Sequence, residues 1–211
     1  MHLLLNNTKK EKMNIDIFQQ QPVLENERVL LRPIEESDFE NLLPFSLNEP
    51  DTWFYGLVTA AGEENLKTYL ANAIKNRNEK KEFAFIVYDK KAKAYAGSTR
   101  FYDINTTNIT SQLGFTWYGK NFQRTGLNRH CKLLLLTFAF QVWGLERLEF
   151  RADAKNTPSI NAMKAIGCIE EGIFRNHMPT SQGGRRDSIV LSILKDEWFG
   201  GVNDRLSKLA Y

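Results

Sequence analysis

The sequence predicts a mixed α/β (α+β) domain, and three observations carry that prediction. Between residues 83 and 118, three apolar-rich runs are separated by short polar turns, which is the pattern of an antiparallel meander. The longest run of apolar residues at helical spacing follows, ends at Gly144, and leads into an alternating apolar and charged run over 145–152. Strand, helix, strand makes a crossover unit whose two strands lie parallel with a right-handed connection.

The elements follow in chain order. Residues 1–21 are polar and aperiodic and read as a flexible leader, with Met13 as an alternative start; residues 22–211 read as one domain. A length of 211 residues fits that count, at roughly 150 residues per domain. Val29-Leu30-Leu31-Arg32 is a short strand ended by Pro33. Ser37-Asp38-Phe39-Glu40 has the form of a capping box, so a helix is expected to start there and end near Pro44. Leu66, Leu70, Ala73 and Ile74 mark a second helix. The meander is Phe83–Tyr88, Tyr95–Phe101 and Gln112–Tyr118, with a charged turn at Asp89–Lys93 and a polar one at Asn105–Asn108. Leu127, Cys131, Leu134, Leu135, Phe138 and Val142 share one face of the long helix. Thr157-Pro158 reads as an N-cap followed by Pro at N1, with Ile160, Met163 and Ile166 on one face of the helix that follows. Two more strand-like runs, 169–174 and 188–193, precede a terminal helix.

Composition narrows the function. Hydrophobic residues make up 42% of the chain, enough for a packed core and too many for a disordered one. The net charge of +3 is too small to indicate nucleic acid by itself, and no aromatic-and-basic motif appears. No stretch reaches the ~18 uninterrupted apolar residues of a transmembrane helix. Met1–Leu5 is too short an apolar run for a secretory signal. Cys131 and Cys168 make neither a disulfide framework nor a CxxC motif, and no metal site is expected. The expected location is cytoplasmic, with no membrane partner.

The chemistry concentrates in Gln123-Arg124-Thr125-Gly126-Leu127-Asn128, between the last meander strand and the long helix. A glycine there lets backbone approach a ligand closely, and the helix start offers free N–H groups and the positive end of the dipole. Those are the makings of a pyrophosphate site, although one glycine at a strand-to-helix turn also fits an ordinary tight loop.

This loop resembles the Q/R-x-x-G-x-G/A signature of the GNAT (GCN5-related) N-acetyltransferase superfamily. Asn156-Thr157-Pro158-Ser159, Ala165-Ile166-Gly167-Cys168 and Glu171-Gly172 resemble the N-x-x-S, G-F and E-G pattern of its RimJ/RimL-type branch, which acetylates ribosomal-protein N-termini. Leu30-Leu31-Arg32-Pro33 is similar to that branch's opening, and Arg186-Asp187-Ser188 with Ser192-Ile193-Leu194 and Glu197-Trp198 to its ending. The resemblance spans about residues 22–200. It implies a mostly antiparallel sheet, flanked by helices, with a central parallel pair splayed around acetyl-CoA, the cosubstrate. It implies that Gln123, Arg124, Thr125, Gly126, Leu127 and Asn128 hold the pyrophosphate through backbone N–H groups. Phe115, Thr116 and Trp117 would bond the pantetheine arm and acetyl carbonyl through their main chain. Asn156 would hold the cysteamine part, and Ser159 the thioester sulfur, protonating the leaving thiolate.

Three positions depart from the family. Asn128 replaces the last small residue of the loop signature, and Met163 stands where many members place a tyrosine acid. The stretch after E-G, Ile173 to Met178, holds no carboxylate, which leaves His177 as the nearest titratable candidate base; Asp103 and Asp187 are further candidates. The expected activity is transfer of acetyl to a primary amine, either a peptide N-terminus or a small molecule. An antibiotic or polyamine acceptor is the second reading, and a CoA-binding domain without turnover the third. The assembly, a homodimer included, stays open. Trp53-Phe54-Tyr55-Gly56 reads as core packing or pocket lining, and Arg185-Arg186 as a solvated hairpin turn first and as a contact to the 3′-phosphate or an acidic substrate second.

Overall fold

The computed structural model describes residues 12–211. Eight strands form one sheet: β1 (Leu24–Glu25), β2 (Val29–Pro33), β3 (Phe83–Asp89), β4 (Ala94–Asn105), β5 (Thr110–Tyr118), β6 (Arg147–Asp153), β7 (Ile169–Pro179) and β8 (Arg185–Leu194). Their order is β1-β2-β3-β4-β5-β6-β8-β7, with every pair antiparallel except β5 and β6. The long helix α4 (Leu127–Thr137) crosses between that parallel pair, as the strand–helix–strand pattern requires, and widens into π-turns over Phe138–Trp143 before Gly144.

The sheet has a core on each face. On one, Leu127, Cys131, Leu135, Phe138 and Trp143 of the crossover pack against Phe85, Phe101, Leu113 and Phe150. On the other, α2 (Phe39–Asn48) and α3 (Glu63–Asn78) bring Leu42, Leu66, Tyr69 and Leu70 against Ile34, Ala84, Ile86 and Trp117. This second cover ends at β5. The face of β6 that carries Arg147, Glu149, Arg151 and Asp153 holds charges instead, while its alternate residues Leu148, Phe150 and Ala152 are buried in the first core.

Several expectations are corrected. Residues 1–11 of the expected leader lie outside the described residues, but the part from Asn14 onward is held to the body. The Asn14 N–H donates to the Trp143 carbonyl at 3.0 Å, its side chain donates to the Val142 carbonyl, and Ile17 in α1 (Ile17–Gln20) is 1% exposed. The π-turns leave those carbonyls without helical partners, and the leader supplies donors. The capping box begins at Glu35, not Ser37: the Glu35 N–H donates to the Asp38 carboxylate at 2.9 Å, three residues on. Helix α2 then continues through Pro44 to Asn48. An interior proline costs about 3 kcal/mol, which packing can outweigh; Phe45 stacks edge-on against Trp117 and Ser46 Oγ donates to the Ala60 carbonyl. Asn156, not Thr157, is the N-cap of α5 (Thr157–Ala165). The chain closes with α6 (Lys195–Glu197) and α7 (Asn203–Ala210).

Candidate active site

The parallel strands pair only where Thr110–Gln112 meets Arg147–Glu149. Beyond Gln112 and Glu149 they separate, so the facing edges of 113–118 and 150–153 lack a partner strand. A bulge helps to open them: Ser98 pairs with Trp117 and Arg100 with Gly114, leaving Phe115 and Thr116 opposite the single residue Thr99. Phe115 sits at φ +49, a left-handed conformation unusual for an aromatic residue. The Thr116 hydroxyl bonds Thr99 Oγ1 at 2.7 Å, and Trp117 is buried against Trp53.

The gap opens into a cleft of about 760 Å³. At one mouth stands the start of α4. Gly126 at φ +88 is its N-cap, and a Cβ there would meet nothing within 4 Å, so the position needs glycine for its backbone angle and lies open to a ligand. Arg124 is also left-handed, at φ +61. The amides of Arg124, Thr125, Gly126 and Asn128 find no acceptor among the described residues. Side chains brace this loop. Gln123 Nε2 donates to the Tyr118 carbonyl, Thr125 Oγ1 to the Phe122 carbonyl, and the Tyr118 hydroxyl to Asn128 Oδ1. Leu127, fully buried, fixes the first turn in the core. Unpaired amides at a helix start, rimmed by Arg124 and Arg129, fit a pyrophosphate.

The opposite wall comes from α5. Asn156 Oδ1 accepts from the Ser159 N–H at 3.2 Å, so this side chain caps the helix while it lines the cleft. The Ser159 hydroxyl makes no hydrogen bond among the described residues and lines the cleft one turn before Met163. Deeper in, Lys132 projects from α4 between the splayed strands. Its Nζ lies 3.3 Å from Thr116 Oγ1 and 5.5 Å from the centre of the Phe150 ring, with 5% of the residue exposed and no ion pair among the described residues. Burial pulls its pKa down to about 8. Burial also pushes the Cys131 and Cys168 thiols up to about 12, which keeps both protonated and unsuited to act as nucleophiles.

The far end of the cleft lies on the charged face of β6. Trp53, Tyr55 and Gly56 form one side of it, so the aromatic segment lines the pocket and packs in the core at once. Tyr102 lies over Gly114, where an added Cβ would meet its ring at 2.9 Å; burial holds its pKa up at about 12. Arg186 is the main correction. Of the two readings of Arg185-Arg186, the solvated turn does not hold for Arg186, which belongs to β8 and is 8% exposed. Its Nε donates to Ser188 Oγ at 2.9 Å and its Nη1 to the Tyr55 carbonyl at 3.4 Å. The turn itself is tied down as well, with the Ser181 hydroxyl donating to the Gly56 carbonyl.

Of the twelve sequence-derived site residues, nine line the cleft: Phe115, Thr116, Trp117, Gln123, Arg124, Gly126, Asn128, Asn156 and Ser159. Thr125 and Leu127 support the loop from behind. His177 is not brought to the lining. It sits in β7 with its ring 5.2 Å from that of Phe174, and burial together with Arg151, Arg186 and Arg185 lowers its pKa. Asp103 instead accepts from Gln112 Nε2, and Asp187 from the Asn176 N–H. The carboxylate that does line the cleft is Asp153.

Comparison with known proteins decides the family. Residues 28–169 match the acetyltransferase (GNAT) domain family. The chain is a GNAT acetyltransferase. YdaF of Bacillus subtilis, an N-acetyltransferase by name, is 26% identical over 180 residues, covering 83% of this chain and 96% of YdaF. A GCN5-related N-acetyltransferase from Brucella melitensis superposes with a TM-score of 0.86 at 23% identity, over 97% of this chain and 90% of the other. The ribosomal-protein-S5-alanine acetyltransferase of Vibrio fischeri shares the fold, with a TM-score of 0.69 at 20% identity over 84% and 98%. The GNAT fold implies acetyl-CoA as cosubstrate, and the unpaired strand edges and the amide cradle at Gly126 suit its amide-bearing arm and its pyrophosphate.

Sequence reasoning missed Lys132, Tyr102, Arg151 and Asp153, and held Arg186 as a ligand contact only in second place. Lys132 left a trace, as a lone cation between Cys131 and the run Leu133–Leu136. Arg186 left a fainter one, in phase with Ser188, Val190 and Ser192 on alternate positions of β8. The other three come together only through strand order.

Proposed function

We propose that this GNAT protein acetylates a primary amine held on the charged face of β6, with acetyl-CoA threaded through the gap between β5 and β6. The observation that carries the proposal is the continuity of one cleft from the Gly126 amides, past Thr116 and Lys132, to Tyr55, Tyr102 and Arg186. In this reading the main chain of Phe115, Thr116 and Trp117 orients the thioester. The neutral amine forms a bond to the acyl carbon, the C–S bond breaks, and Ser159 passes a proton to the departing sulfur. The amine's own proton leaves toward Asp153 and returns through water to Ser159, so the proton lost by nitrogen matches the one gained by sulfur. Positioning supplies most of the acceleration and needs no covalent enzyme intermediate.

The charged lining favours some acceptors over others. Arg124, Arg129, Lys132, Arg151 and Arg186 face a single carboxylate, Asp153. A polyamine would meet net repulsion there, so that alternative is not favoured. The test is calorimetric titration with acetyl-CoA followed by thiol release with a panel of amines. Binding with release supports the proposal. Binding with no release from any amine leaves a CoA-binding domain, and absence of binding removes the cofactor site.

A further inference from the structure

The acceptor half of the cleft contains a buried guanidinium that makes no ion pair among the described residues. Arg186 is 8% exposed, faces the cleft, and has no carboxylate within ion-pair distance among the described residues. Its two hydrogen bonds go to neutral oxygens, Ser188 Oγ and the Tyr55 carbonyl. Burial lowers its pKa, Asp153 and Tyr102 oppose that without forming an ion pair, and Arg151 adds a smaller repulsion. Arg151 does not share the deficit, since its Nε donates to Glu149 Oε1 at 2.6 Å. A buried charge without a partner is costly, and such groups are normally paired. Arg186 is held in place from two sides of the cleft, by β8 and by the 53–58 segment, with guanidinium capacity left over.

We infer that the acceptor is an amine that also carries a carboxylate, and that Arg186 binds this carboxylate. The inference deepens the acetyltransferase reading and rests on it. Asp153, 9% exposed and on the same face, completes the arrangement. A molecule with one cationic and one anionic end meets Asp153 and Arg186 together, and this orients the amine before it loses its proton. A guanidinium fork suits a carboxylate better than an ammonium would, because two parallel N–H groups can engage both oxygens. The shared chemistry is a carboxylate near an amine, which both ω-amino acids and peptides with an acidic second residue offer.

The experiment reads binding separately from turnover. CoA-saturated protein is titrated calorimetrically with N-acetyl-ω-amino acids of two to six carbons and with their primary amides. A second arm uses N-acetyl-Ser-Glu and N-acetyl-Ser-Gln with amidated C-termini. At least one acid is expected to bind 10-fold or more tightly than its amide. R186Q should bring that ratio within 2-fold of unity, and R186K should keep part of it, as a check that the fold survives. The arm that shows the preference identifies the source of the carboxylate. Equal binding within every pair, no binding at all, or a preference unchanged in R186Q overturns the inference. Thiol release is measured in parallel. Release from amines without regard to charge sinks the inference and leaves the acetyltransferase reading standing. A carboxylate preference with no release from any amine removes the acetyltransferase reading and the acceptor assignment with it, and leaves Arg186 as a carboxylate site alone.

Discussion

The two halves of the cleft are built from different materials. The cofactor half is made largely of backbone: a bulged strand, a helix start and a glycine, contributed by the continuous stretch 113–128. The other half, proposed here to take the acceptor, is made of side chains drawn from far apart, Tyr55, Tyr102, Asp153 and Arg186, each from a different segment. A backbone site can serve a constant ligand and needs only local geometry. A side-chain site can change its ligand preference by single substitutions while the sheet stays intact.

Four substitutions sharpen the comparison, in decreasing order of effect. G126E places a side chain at φ +88 and a carboxylate where the amides converge. Its acetyl-CoA affinity should fall about 1,000-fold, or roughly 4 kcal/mol, by calorimetry. An unchanged affinity would mean that the amide cradle is an ordinary turn.

K132M tests the junction between the halves. The folded pKa of Lys132 is about 8 against an ordinary 10.5, so between those values the unfolded chain binds more protons than the native one. The stability of the wild type should therefore rise as pH climbs through that window, and below pH 8 the full burial penalty applies. K132M should remove this rise and be more stable than wild type at pH 7 by a difference on the order of 3 kcal/mol. Parallel denaturation curves from pH 7 to 10 would contradict it.

S159A should lower kcat about 10- to 100-fold with little change in the KM for acetyl-CoA, since the hydroxyl is assigned to the leaving sulfur. A KM effect alone would make Ser159 a binding residue. N156A removes a helix cap and should cost about 1 kcal/mol in urea denaturation, with N156D keeping that stability. If N156D nevertheless binds acetyl-CoA poorly, the amide nitrogen serves the cofactor as well.

Legibility followed the same division. The apolar stripe from Leu127 to Phe138, the meander and the parallel crossover were readable because hydrophobic periodicity is a local property. The sheet order agrees with them. The resemblance of the 123–128 loop to the GNAT signature held for the family. Local signals misled where tertiary contacts outweighed them: Pro44 did not end its helix, and Asn14 and Ile17 did not stay loose. His177 was chosen for its titration range, but β7 sets it against Phe174 and outside the lining.

The sequence by itself determined the fold class and the family, and it pointed to most of the residues that line one half of the cleft. Each of these rests on short local patterns, taken in order along the chain, where backbone geometry and burial act directly on neighbouring positions. Only the tertiary structure decided the acceptor chamber. Strand order placed β8 beside β6 and ahead of β7, and so carried Arg186 from an apparent surface turn to a buried place beside Tyr55, 131 positions earlier in the chain. No local pattern encodes that approach, because the packing of the whole sheet determines which charged side chains end up facing one another.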